Sequence, residues 1–183
     1  MAFEIDDDFI EKIEFFIENK DDKALRKHLN EEHHADIAEV LDELDFDNAV
    51  YIIKLLDSEK TSEILMELDE DVREKILQNL SAKEIADEVG EMDTDDAADI
   101  IGELSEDRQR RVINALEDTE HAADIKELLS YEDDSAGSLM AKELVKVYET
   151  WTVAGCLRRI RGQAKEVSRV HSIYVVDKEN KLV

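Results

Sequence analysis

From residue 45 the chain repeats every twelve residues: DFDNAVYIIKLL, DSEKTSEILMEL, DEDVREKILQNL, SAKEIADEVGEM, DTDDAADIIGEL and SEDRQRRVINAL follow one another without a gap. Each unit opens on Asp or Ser (Asp45, Asp57, Asp69, Ser81, Asp93, Ser105), whose side-chain oxygen accepts from the free N–H groups of a helix start. Each closes on a large apolar residue (Leu56, Leu68, Leu80, Met92, Leu104, Leu116), and positions eight and nine are mostly apolar: Ile52 and Ile53, Ile64 and Leu65, Ile76 and Leu77, Ile100 and Ile101. Spacings of three and four put these residues on one helical face. The pattern predicts helices of about ten residues joined by very tight turns, and helices that short are marginal alone in water. They must stack, each burying its stripe on its neighbours. The expected fold is mainly α, a right-handed superhelix of short helices built on the 12-residue repeat. HHADIAEVLDEL at 33–44 reads as a degenerate first unit, and residues 7–29 supply one or two further helices.

Composition agrees. The 183 residues include no proline and five glycines, against a turn-rich β sandwich, a collagen-like chain or a flexible Pro/Gly linker. The 43% apolar share is enough for a core despite 39% charged residues. A formal charge of −26 argues against nucleic acid and anionic lipid surfaces as partners, since phosphates are bound by clustered Lys and Arg. Splitting that charge at residue 130 is informative: 14 basic and 41 acidic residues, net −27, precede it, and 9 basic and 8 acidic, net +1, follow. A lone Cys156 makes no internal disulfide and fits a reducing compartment, and MAFEIDDDF lacks the regions of a signal peptide. No aliphatic run approaches the roughly 20 residues that cross a bilayer.

After Leu129 the pattern stops. YEDDSAGSLMAK at 131–142 carries turn formers, ELVKVY reads as a short strand, TWTVAGCLRRIRGQAK as a helix capped by Thr152, and SIYVVD as a strand. DKEN at 177–180 is a turn, after which Lys181, Leu182 and Val183 read as the beginning of another strand, the expectation being a fragment of a longer protein. The domains expected are 1–130, an acidic helical superhelix; 131–137, a junction; and 138–183, a partial α/β module.

Catalytic constellations are absent: there is no Gly-rich phosphate loop, no Cys with a plausible base and no Cys pair with metal spacing, so the chain reads as non-enzymatic. His33 and His34 point roughly 100° apart on a helix and read as an exposed helix start, not a metal site. Acids at position three of the repeat are what a helix dipole favours in the first turn. Position seven is mid-helix (Tyr51, Glu63, Lys75, Asp87, Asp99, Arg111), with no capping rule to account for its acids. Asp95 and Asp99 lie one turn apart on one face, flanked by Asp96. A hard cation such as Mg²⁺ takes oxygen ligands and keeps several waters, so one or two carboxylates recruit it. Asp95 and Asp99 are therefore a candidate metal site, the alternative being a solvated helix face.

HHADIAEVLDEL, the recurring EVL and EIL units, DTDDAADIIGELSED, YEDDSAGSLM, WTV with paired Arg, and IYVVD with K-L-V together resemble the cytosolic region of the MgtE family of magnesium transporters and channels. The resemblance runs over nearly the whole chain. It implies an N domain over residues 1 to about 130 and, at 138–183, the first half of a first CBS domain. It also implies a mechanism: at high Mg²⁺ the ions bridge N-domain carboxylates to the CBS domains and connecting helices and hold the pore shut, and at low Mg²⁺ the acidic surfaces repel. By the resemblance, Glu63, Asp95 and Asp99 are the Mg²⁺ ligands of this chain; periodicity does not place Glu63, three units away, beside Asp99. The implied partners are Mg²⁺, the remaining CBS, connecting-helix and transmembrane segments, and a second copy in a homodimer, with this region on the cytoplasmic face of the membrane. His34 departs from the family, which commonly has Pro there. An incomplete CBS region argues against nucleotide binding.

A second reading from another class is a helical-repeat scaffold that binds a basic protein partner, similar in architecture to flagellar motor switch proteins. Its mark is salt-sensitive capture of a basic protein with no specific effect of Mg²⁺. A nucleic-acid mimic needs charge spaced like phosphates, whereas these acids follow helix starts.

Overall fold

The computed structural model describes residues 7–132, 135–164, 170 and 172–183. Two helices, α1 (Asp7–Glu18) and α2 (Asp22–Asn30), precede the repeat region, and α3 (His34–Glu43) is its degenerate first unit. The six units form α4 (Phe46–Leu55), α5 (Ser58–Glu67), α6 (Glu70–Gln78), α7 (Ala82–Val89), α8 (Thr94–Gly102) and α9 (Glu106–Ala115), each starting directly after its Asp or Ser. The last helix of the stack is α10 (Thr119–Leu128). Asp57 accepts from the N–H of Lys60, and Ser81 forms a reciprocal capping box with Glu84. Asp45, Asp69 and Ser105 occupy the cap position without a side-chain cap bond.

The apolar columns are buried as their spacing predicts. Ile52, Ile64, Leu65, Ile76, Leu77 and Ile101 are fully buried, and the closing residues Leu56, Leu68, Leu80, Met92 and Leu104 seal the turns. One continuous core runs from Ile13 to Leu128. The stacking partner is less simple than the sequence suggests: from α3 onward the most extensive packing is α3 on α5, α5 on α7, α7 on α9 and α8 on α10, with less between successive helices. A reason lies in the turn. Two extended residues span about 7 Å, short of the 8–10 Å by which side-by-side helix axes are separated. Across the two-residue turns between α3, α4, α5 and α6 successive helices therefore meet at a corner; α3, α5, α7 and α9 stack on one another and α8 on α10, whereas α4 touches α3 as much as α6. Arginines close the resulting joints: Arg73 donates to the C-terminal carbonyls of Leu65 and Leu68 (both 3.2 Å), and Arg108 to those of Leu77 and Leu80 (both 2.8 Å).

Beyond the stack lies a small α/β module. Strand β1 (Val145–Tyr148), helix α11 (Val153–Gln163) and strand β2 (Ile173–Val176) form a parallel β-α-β unit with Val145 opposite Ile173. Thr152 caps α11 by accepting from the N–H of Gly155 at 3.2 Å. Asn180, at φ 59°, makes the turn after which Leu182 bridges antiparallel to Val176. Residues 133 and 134 of the expected junction, and residue 165 at the end of the expected helix, lie outside the described residues.

Candidate cation site on helix α8

Helix α8 begins on Thr94 and exposes its acids along one edge because Ala97, Ala98, Ile100 and Ile101 take the buried side. Asp95 and Asp96 occupy the first turn, where the positive helix end favours them. Asp99 lies one turn further on and faces solvent. Partial desolvation, then Asp95 and Glu103, hold the Asp99 carboxyl above the usual range, with Arg73 opposing. Asp96 is raised for the same reasons, by desolvation first and then by Asp95, Asp93, Asp99 and Glu143. The edge is thus a strip of mutually repelling carboxylates.

Glu63 stands elsewhere, exposed on α5, with Oε2 3.0 Å from His34 Nδ1. His34 Nε2 lies 3.8 Å from Glu67 Oε1. Helix α5 packs on α3 and α7, whereas α8 packs chiefly on α10. Among the described residues, no group of three or more His, Cys, Asp or Glu side chains is placed to hold a metal ion. The donor set of α8 nevertheless suits a hard cation: two carboxylates one turn apart supply oxygen ligands, and water or another segment must supply the others.

Three further features stand outside the 12-residue pattern of helix starts and apolar columns. Arg73 donates from Nε to Glu103 Oε1 at 3.0 Å and from Nη2 to the same oxygen at 2.5 Å, tying α6 to the end of α8. Glu88 is 8% exposed, and its Oε2 has no hydrogen-bond partner. It occupies position eight of its unit, where the other units carry Ile52, Ile64, Ile76, Ile100 and Val112, so the break in that column was its signal. Glu143, at the start of the module, bonds Thr94 across 49 residues, a pairing that no local pattern announces.

An acidic helical superhelix with a small α/β module is the class that fold and charge define. Residues 32–134, more than half of the chain, match the family described as the MgtE intracellular N domain. The chain belongs to that family. A stretch of 65 residues is 42% identical to the magnesium transporter MgtE of Enterococcus faecalis and 40% identical to that of Thermus thermophilus. In both cases it covers 36% of this chain and 14% of the relative. A crystal structure of the cytosolic domain of the Mg²⁺ channel MgtE in complex with ATP aligns with a TM-score of 0.84 at 30% identity, covering 94% of this chain and 71% of that one. A crystal structure of the soluble part of a magnesium transporter aligns with a TM-score of 0.80 at 26% identity, over 95% of this chain and 68% of that one.

Proposed function

We propose that this chain is the Mg²⁺-sensing and gating region on the cytosolic face of a magnesium transporter. Cations are recruited by Asp95 and Asp99 on α8 and by Glu63 on α5, with the remaining ligands from water and from parts of the protein beyond this chain. In this reading residues 1–130 are the sensing superhelix, 131–137 a junction and 138–183 the first half of a CBS domain. Cation binding favours the compact, pore-closed arrangement because carboxylates that repel when bare are drawn together around a shared ion. The reading rests on the acidic edge of α8, where partial desolvation and then neighbouring carboxylates raise the carboxyls of Asp96 and Asp99, in a member of the MgtE family. A homodimer of the intact protein belongs to the same proposal. The region is a binding module in this account, with no chemical step of its own. The test is protection of the chain from proteolysis as Mg²⁺ rises through the millimolar range. Asp95→Ala combined with Asp99→Ala weakens the protection, and a double variant that responds like the parent removes the site assignment.

A further inference from the structure

Among the described residues, the buried apolar side chains of the α/β module do not join the core of the superhelix. Val145, Val147 and Val176 are buried within the module but lie outside the continuous core of the stack. Contacts of β1, α11 and β2 with the helices of the stack are sparser than those between the well-stacked helices α3, α5, α7 and α9. Two polar ties connect the module to the stack. Glu143 accepts from the Thr94 N–H (3.0 Å) and from the Thr94 hydroxyl (2.9 Å), and the same hydroxyl accepts from the N–H of Lys142 (3.0 Å). Next to it, Lys142 Nζ lies 2.7 Å from Glu127 on α10. Thr94 is 1% exposed, so its bonds with Glu143 are sheltered from water and stronger than surface ones. Beyond these ties a polar cleft opens, with Asp118, His121 and Asp124 on one wall and Lys146 and Gln163 on the other.

We infer that Glu143 is a releasable latch, the positioning residue through which the start of α8 holds the α/β module against the superhelix. Its carboxylate sits at the positive end of α8, which favours it, and beside Asp96, which repels it. At Glu143 the hold is therefore a balance of two opposed electrostatic effects on one side chain, supplemented by the more exposed Lys142–Glu127 pair. A module held in this way swings as a unit when the latch opens, because its own sheet and helix are not involved in the tie. The inference does not depend on which cation, if any, binds α8.

The test is the distance between a spin label on Cys156, in α11, and one on Lys75→Cys, in α6, measured in the full chain. The parent is expected to give one narrow distribution. Glu143→Ala and Thr94→Val each shift the docked-to-released ratio by roughly tenfold toward release, the change expected from losing a charge-assisted hydrogen bond of ordinary strength. Hydrogen exchange across α8 stays at the parental level in Glu143→Ala. Parental distances in Glu143→Ala overturn the inference. So does a broadening that comes with lost protection throughout α8, because Glu143 would then be holding the helix and not the module.

Discussion

His34 Nδ1 lies 3.0 Å from Glu63 Oε2, a contact across 29 residues that joins the starting turn of α3 to the middle of α5. It is one rung of a ladder made by stacking α3, α5, α7 and α9 on one another. Tyr51 reaches Asp22 and Arg73 reaches Glu103 likewise across two units, while His121 Nε2, 3.3 Å from the Val89 carbonyl, reaches from α10 across three units to α7. The rung also occupies a carboxylate that the proposed sensing role needs.

Removing the imidazole should therefore make Glu63 more available. His34→Ala is expected to lower the Mg²⁺ concentration at half-effect by up to about fivefold, the range set by an exposed pair of 0.2–1 kcal/mol. A Mg²⁺ titration followed at the α5 amides reads this directly, and an unchanged midpoint dissociates Glu63 from cation binding.

Burial drives the Glu88 carboxyl up to about 8 from an ordinary 4.5, with Asp87, Asp57, Glu84 and Glu91 adding to the shift. Because the folded value lies above the unfolded one, the native state keeps a proton that the unfolded chain releases. This contribution is fully present below pH 4.5 and is lost as pH rises through 8. Urea unfolding is expected to show stability declining from about pH 5 to pH 8. Glu88→Ile, which restores the apolar column, should flatten that decline and stabilise the chain at pH 8 by roughly 2 kcal/mol. An equal slope in parent and variant would mean that Glu88 is not the titrating group.

Arg73 and Glu103 are both less than a fifth exposed, and Arg73 also satisfies two helix-end carbonyls. Arg73→Ala leaves a half-buried carboxylate and two carbonyls without their donor, at about 2–4 kcal/mol. Arg73→Lys should recover little of this, since an ammonium cannot fork between the carbonyls and the carboxylate. Equilibrium unfolding of the two variants at pH 7 checks both statements.

Helix starts were legible because each is written locally, as Asp or Ser before an apolar stripe: all six units from Asp45 to Ser105 begin where the repeat places them. The β-α-β order after Leu129 was legible for the same reason. The stacking partner was not, because a period of twelve is equally consistent with packing on the next unit or the one after. The two-residue turns on either side of α4 set α3 on α5, and His34 beside Glu63 follows from that packing. Glu88 could have been found as the acid in a column of Ile and Val. The Glu143 bond to Thr94 could not, since it depends on how a chain of different character folds back onto the stack.

The proposed role of the acidic edge of α8 is to sense a divalent cation. Amide spectra of the isotope-labelled chain, recorded through a Mg²⁺ titration at fixed ionic strength, test it most directly. Saturable shifts concentrated on residues 94–102 and around Glu63 are expected, strongly reduced when Asp95 and Asp99 are both replaced by Asn. Shifts spread evenly over every acidic helix, or a titration unaltered in the double variant, would contradict it.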